Sequence, residues 1–144
     1  MRIRDILQTK GGHVFSITPD RTVHDAMRAM MDREIGCLVV MDRDHIEGII
    51  TERDLLKFAT RRTHAIDTIT VDDIMTRNVI VGVADDRVDS VMELMTRNRI
   101  RHLPVVKDRR LVGLVSIGDL VNAVRTDMEM ENRYLHDYIA GVVA

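Results

Sequence analysis

Apolar and polar residues follow two different periods along the first third of the chain. Residues 22–31 have helical spacing, with Thr22 as the expected N-cap and Asp25 as its capping-box partner. The apolar stripe of this helix consists of Val23, Ala26, Met27, Met30 and Met31. Residues 35–41 form a short run rich in β-branched side chains, which predicts a buried strand. A polar turn at 42–45 leads to a second strand at 46–50, and Thr51 opens another helix.

The same pattern returns later in the chain at a constant offset. Gly48 matches Gly113 and Asp54 matches Asp119, so the offset is 65 residues, and it holds without a gap from Val14 to Leu55 of the first copy. The second copy therefore predicts a helix from residue 88, strands at 100–106 and 111–115, and a helix opening at Ser116. The apolar side of this last helix is expected to comprise Leu120, Val121 and Val124.

These elements define two repeats and a tail. Strands at 14–17 and 79–83 complete the order β-α-β-β-α, and matching lead-in turns precede the repeats at 4–7 and 72–75. A unit of about 45 residues is too small to bury a sizeable core alone. The sequence thus predicts an α+β fold in which two repeats, 5–62 and 63–125, pack around a pseudo-two-fold axis. Residues 126–144 are predicted to form a charged helical tail with Met130, Tyr134 and Tyr138 on one face.

Composition narrows the range of functions. The chain of 144 residues is 45% hydrophobic and 31% charged, with a net charge of −2, so a basic face for nucleic acid is not expected. Aromatic residues make up only 3%, which argues against stacking of single strands. No apolar run is long enough to span a membrane, and the first residues do not resemble a signal peptide. A cytoplasmic protein without nucleic-acid or membrane partners is predicted.

The most informative motif is a duplicated heptad. Gly48 and Gly113 each begin the order Gly, two apolar residues, Thr or Ser, two variable residues, Asp. The vicinal hydroxyls of a ribose suit a fixed carboxylate, and a helix N-terminus suits a phosphate. The glycine can let the backbone approach a ligand. The same Thr/Ser-x-x-Asp pattern is also a capping box, in which the acid serves only its own helix, and one group can fill both roles.

With the sequence Arg101 to Val106 before its second copy, this heptad pair resembles a tandem pair of CBS domains, known as a Bateman module. The resemblance extends from about Asp5 to Arg125. It implies binding of adenosine-containing ligands such as AMP, ADP, ATP, NAD(H) or S-adenosylmethionine. It also implies that two chains form a flat homodimer and signal to an effector protein that the sequence does not identify.

The resemblance also implies a set of site residues. Asp54 and Asp119 are expected at the ribose hydroxyls, with Thr51 and Ser116 near the phosphates. Other expected contacts are Thr18, at the base or sugar, Ile35 and Ile100, flanking an adenine, and Cys37, Arg53, Arg101 and His102. The two sites differ, because Gly36 and Cys37 stand where the second copy has Arg101 and His102, and Gly118 replaces Arg53.

The predicted function is therefore a regulatory module that senses adenine nucleotides in the cleft between the repeats. Its alternative is an oligomerisation or protein-interaction module with no small ligand, in which both aspartates are only caps. No metal site is predicted, since the six histidines, among them His64, show no ligand spacing and there is a single cysteine. No recognisable catalytic motif is present, and Cys37 lies within an apolar strand pattern, so an enzyme is not predicted.

Overall fold

The computed structural model describes residues 1–61 and 65–141. The elements follow in the order α1 (Ile3–Lys10), β1 (Ser16–Ile17), α2 (Val23–Arg33), β2 (Cys37–Asp42), β3 (His45–Thr51) and α3 (Glu52–Ala59). The second half contains α4 (Val71–Ile74), α5 (Val88–Asn98), β4 (His102–Lys107), β5 (Arg110–Ser116) and α6 (Ile117–Ile139). The predicted α+β repeats around a pseudo-two-fold axis are confirmed.

Both predicted hairpins form, with the same register in each repeat. In the first, β2 pairs antiparallel with β3, and Val40 lies opposite Gly48. In the second, β4 pairs antiparallel with β5, and Val105 lies opposite Gly113. Each hairpin contains one irregularity, directly after Val40 and after Val105. The 65-residue offset of the sequence is thus also an offset in strand register.

The leading strands of the repeats differ. Strand β1 runs parallel to β2, whereas the strand predicted at 79–83 is reduced to one parallel bridge between Gly82 and Val105. The cause is Pro104, which stands where the first repeat has Val39. The Val39 N–H donates to the Phe15 carbonyl at 3.3 Å, and a proline has no N–H to extend the corresponding ladder.

Helix α2 begins as predicted. The Thr22 hydroxyl accepts a hydrogen bond from the Asp25 N–H at 3.0 Å, while the Thr22 N–H donates to the Asp25 carboxylate at 3.1 Å. Val23, Ala26 and Met30 are buried, but Met31 is 78% exposed because it lies one residue beyond the stripe. Val121 of α6, which we expected on the apolar side, is also half exposed, at 50%.

Each repeat completes its core with the lead-in helix of the other. Ile3 and Ile6 of α1 are buried in the second core, which otherwise comprises Val88, Val91, Met95, Leu103, Val105, Val115 and Leu120. Val71 and Met75, around α4, are buried in the first core with Ala26, Met30, Leu38, Val40 and Ile50. The two lead-in helices are therefore exchanged between the repeats.

The tail is helical to Ile139, as the sequence predicts, but it is not a separate element, and residues 142–144 of the predicted tail lie outside the described residues. Helix α6 runs for 23 residues from the second heptad to Ile139, without a break at residue 125. The side chains of Met128, Tyr134 and Tyr138 are 64%, 56% and 66% exposed. The division into 5–62, 63–125 and 126–144 stays a prediction, and residues 62 and 63 at its first boundary lie outside the described residues, as does His64.

The exchange of lead-in helices predicts which core a substitution weakens. Ile3→Ala should lower the free energy of unfolding by about 2–5 kcal/mol, because Ile3 is fully buried. Met31→Ala, at an exposed position, should change it by no more than about 0.5 kcal/mol. Urea unfolding measures both values. In a hydrogen-exchange experiment, Ile3→Ala should first weaken the protection of amides in β4 and β5. Weaker protection confined to β2 and β3 would contradict the placement of α1 in the second core.

Candidate functional site

Asp54 lies at the N-terminus of α3 and binds its own helix start. Its Oδ2 accepts hydrogen bonds from the Thr51 N–H at 2.9 Å and from the Thr51 hydroxyl at 3.3 Å. Thr51 and Asp54 together form the capping box of α3. The other carboxylate oxygen, Oδ1, accepts a bond from the Thr76 hydroxyl at 3.0 Å.

Asp119 has the corresponding position at the N-terminus of α6, with different partners. It forms a complete capping box: the Ser116 N–H donates to Oδ2 at 2.8 Å, and the Asp119 N–H donates to the Ser116 hydroxyl at 3.1 Å. The Lys10 ammonium lies 2.6 Å from the same Oδ2. Partial burial opposes ionisation of Asp119, but Lys10 and Ser116 outweigh it and hold the pKa of this carboxyl below its usual value of 3.8.

The starts of strands β2 and β4 lie near these carboxylates. Burial lowers the pKa of His102 below 6.5; the charge of Lys10 lowers it further, while Glu52 and Asp119 oppose the shift. Burial raises the pKa of Cys37 to about 12, and the nearby Asp54 charge adds to this shift. The Lys10 charge opposes the rise of the Cys37 pKa, so Lys10 acts electrostatically on the starts of both strands. His102 is neutral at pH 7, and the Cys37 thiol is protonated.

The remaining predicted residues have separate surroundings. Ile35 packs against the first core and Ile100 against the second. Arg53 donates from Nη1 to the Arg99 carbonyl at 3.1 Å, and Arg101 is exposed. Thr18 is exposed directly after β1, and within residues 1–61 and 65–141 no hydrogen bond or ion pair joins it to another predicted site residue.

Three residues near the carboxylates were missed by sequence reasoning. Thr76 contacts Asp54, Lys10 contacts Asp119, and Glu52 lies close enough to Gly36 that a Cβ there would be 2.8 Å from its carboxylate. Glu52 occupies a variable position of the heptad. Lys10 and Thr76 lie outside both heptads, in or after the lead-in helices, so no motif indicated them.

The heptad glycines have a structural role that differs from the expected one. A Cβ on Gly48 would lie 2.8 Å from the Met75 sulfur and 2.6 Å from the Thr76 carbonyl. A Cβ on Gly113 would lie 2.7 Å from Leu7. The space that we assigned to a ligand is therefore occupied by the lead-in segment of the other repeat. Both glycines permit the close packing on which the helix exchange depends.

A cavity of about 420 Å³ opens beside Asp119, between α1 and α6. Its lining combines apolar and polar groups, among them Ile6, Thr9, Lys10, Asp119, Asn122 and Ala123. Such a mixture of apolar surface and a few polar groups is typical of small-molecule sites. Across residues 1–61 and 65–141, no three His, Cys, Asp or Glu side chains lie together in a way that could hold a metal ion.

Comparison with known proteins assigns the family. A CBS domain model matches the chain twice, at residues 3–61 and 71–126, so the chain belongs to the CBS domain family. It contains a tandem CBS pair, which is a regulatory module. The mitochondrial CBS domain-containing protein CBSX3 of Arabidopsis thaliana is 39% identical, over 96% of this chain and 72% of that protein.

Solved structures agree with this assignment. The CBS-domain containing protein ATU1752 from Agrobacterium tumefaciens superimposes with a TM-score of 0.82 at 37% identity, over 85% of this chain and 98% of that one. The CBS domain pair of protein MJ0100 was solved with 5′-methylthioadenosine and S-adenosyl-L-methionine. It matches with a TM-score of 0.76 at 29% identity, over 86% of this chain and 99% of that one. Of the described helices, none is long and apolar enough to cross a membrane.

The depressed pKa of His102 predicts a loss of stability in mild acid. The unfolded chain binds a proton at this residue near pH 6.5, whereas the folded chain binds it only at lower pH, so acidification favours unfolding. Between about pH 7.5 and 5.5, the melting temperature of His102→Gln should fall less than that of the wild type. His136→Gln, whose side chain is 84% exposed in the native protein, is the control. Equal slopes for wild type and His102→Gln would contradict the assignment.

Proposed function

We propose that this CBS pair binds adenosine-containing nucleotides, such as AMP, ADP, ATP or NAD(H), in the cleft between its repeats. The observation behind the proposal is the matched placement of Asp54 and Asp119, each at the start of a helix and each held by a group from the opposite lead-in segment. A relative by structure, MJ0100, was solved with two adenosine compounds. The likeness supports an adenosine ligand for this chain as well.

The capping role of the aspartates is compatible with ribose binding. A carboxylate has about four lone-pair sites, so capping by one oxygen leaves others available. Within residues 1–61 and 65–141, Oδ1 of Asp119 accepts no hydrogen bond, and Oδ1 of Asp54 accepts only that of Thr76. We assign these oxygens to the ribose hydroxyls. The helix N-termini at Thr51 and Ser116 then face the phosphates.

The other site residues are assigned by the family resemblance. Ile35 and Ile100 flank the adenine, Thr18 contacts the base or sugar, and Cys37 contributes a small neutral wall. Arg53, Arg101 and His102 are candidates for phosphate contacts, with His102 acting as a neutral hydrogen-bond partner at pH 7 because its pKa is lowered by burial. The exposure of Thr18 and Arg101 leaves room for a ligand to cover them.

The exchanged helices provide a route for signalling. A ligand can shift an equilibrium only through different affinities for two states. A nucleotide bound at Asp54 or Asp119 contacts one repeat and the lead-in segment of the other, so it is sensitive to their relative position. We propose that the resulting change in packing is read by an effector protein.

Loss of both aspartates should weaken nucleotide binding without unfolding the protein. Because each removes charge-assisted bonds worth about 1.5–3 kcal/mol, Asp54→Ala with Asp119→Ala should weaken nucleotide affinity by roughly tenfold to a hundredfold or more. The shift of melting temperature with AMP, ADP, ATP, NAD, NADH and S-adenosylmethionine, with GTP for comparison, measures the effect. Asp25→Ala is the matched control, because it removes the same capping carboxylate from α2. Unchanged affinity in the double variant would refute the ribose assignment.

We further propose that the protein is a homodimer with its repeats side by side, in accord with the family resemblance. A mass near that of one chain in light scattering would contradict this.

No catalytic role is proposed. Consumption of ATP or oxidation of NADH by the purified protein would instead indicate an enzyme. A cytoplasmic location stays a prediction from the sequence, while the name of the Arabidopsis relative places that protein in mitochondria.

A second candidate function, an interaction module without a small ligand, is favoured by the exposed side of α6. Met128, Leu135 and Ile139 are 64%, 50% and 84% exposed on a helix that continues beyond the second repeat. Apolar residues of this kind are typical of contacts with another protein. In this interpretation, both heptad aspartates act only as caps.

Removal of residues 127–144 distinguishes the two functions. If nucleotides bind at Asp54 and Asp119, the truncated protein should keep the ligand-induced rise in melting temperature of the full chain, because neither aspartate lies in the removed segment. The interaction module predicts instead that no nucleotide stabilises either form, and that truncation changes the oligomeric mass. Light scattering together with thermal melting measures both outcomes.

A further inference from the structure

The two lead-in helices are equivalent up to a point and then diverge. Ile3 and Val71 are both fully buried, and Leu7 and Met75 both fill the space above a heptad glycine. Helix α1 then continues, with 8 residues against 4 in α4. From Leu7 to the start of the aligned repeat at Val14 the chain is three residues longer than from Met75 to Val79. These residues form an extra helical turn, which ends at Lys10.

This extra turn brings a cation to only one of the two heptads. The Lys10 ammonium donates to the Leu114 carbonyl at 2.8 Å and to Asp119 Oδ2 at 2.6 Å. At the other heptad, the chain after α4 is extended and supplies the neutral Thr76 hydroxyl to Asp54. Within residues 1–61 and 65–141, no ion pair to a basic side chain involves Asp54, and neighbouring Arg53 is bound to the Arg99 carbonyl.

Lys10 is also well placed to meet a ligand. Its side chain is 37% exposed, and it is the sole basic side chain among the described residues that line the 420 Å³ cavity beside Asp119. The carboxylates of Asp5 and Asp127 line the same cavity and repel an anion, so among the lining side chains Lys10 is the one that can pair with it. The Lys10 charge also lowers the pKa of His102, which begins strand β4.

We infer that Lys10 is a specificity-determining residue, which makes the Asp119 site select phosphorylated over unphosphorylated adenosine ligands. The inference rests on the proposed function and adds the ligand class for one site. A neutral nucleoside whose ribose binds Oδ1 of Asp119 leaves Lys10 on Oδ2 and offers the ammonium no charged group. A phosphate does offer one, and the lysine is a flexible point charge that can turn from the carboxylate to the ligand.

The test isolates the Asp119 site and compares two ligands that differ only in the phosphate. In an Asp54→Ala background, calorimetry should show AMP binding at least about tenfold more tightly than adenosine, in line with one charge-assisted contact. Adding Lys10→Met should weaken AMP by about that factor and bring the ratio near one, while adenosine affinity is kept or increased. Lys10→Arg should preserve the preference. Lys107→Met, at the opposite end of β4 from His102, controls for loss of one positive charge.

Each other outcome overturns the inference in a recognisable way. An AMP-to-adenosine ratio that is unchanged by Lys10→Met would show that another group reads the phosphate. If wild type binds AMP but the Asp54→Ala protein does not, the Asp119 site is not a nucleotide site. If wild type binds no adenosine compound at all, the proposed function itself fails, and the inference fails with it. Lys10→Gln, which keeps a hydrogen-bond donor without charge, replaces Lys10→Met if that variant does not fold.

Discussion

The burial of Ile3 and Ile6 in the second repeat, and of Val71 and Met75 in the first, is the constraint on which the structure depends. A helix, a hairpin and a second helix expose too much apolar surface to be stable as an isolated unit of this size. Each repeat closes its core with a helix that precedes the other repeat along the chain. The two repeats are therefore expected to fold and move as a coupled pair.

The same exchange builds the candidate site. Gly48 and Gly113 admit the lead-in segments to the hairpins, and the residues that follow, Thr76 and Lys10, then reach the two heptad aspartates. Each carboxylate is thus held by its own helix start and by the opposite lead-in. Packing contacts and the proposed ligand contacts meet at these positions, so a ligand bound there would act on the contact that joins the repeats.

The electrostatic surroundings make the two heptads unequal. Asp119 faces an ammonium and has a pKa below its usual value, whereas the carboxylate of Asp54 faces hydroxyl groups. His102, kept neutral mainly by burial, stands beside the Lys10 charge, while the corresponding first-repeat residue is a buried thiol. The two repeats share a backbone and differ in charge at their heptads, which is the basis of the difference in ligand preference that we propose.

Features that depend on near neighbours along the chain could be predicted from the amino-acid sequence. The capping box of Thr22 and Asp25, the two hairpins and the start of α6 at Ser116 follow from residues within a few positions of one another. The duplicated heptad also indicated the family and both aspartates. The leading strand of the second repeat is short because Pro104 has no N–H to donate to it, and this effect depends on which strand pairs with Pro104.

The exchange of lead-in helices and the partners of the aspartates depend on tertiary packing. Lys10 and Asp119 are 109 residues apart, and no local periodicity relates them. Their contact depends on how two cores share their helices, which is a property of the packed chain and not of any segment of it.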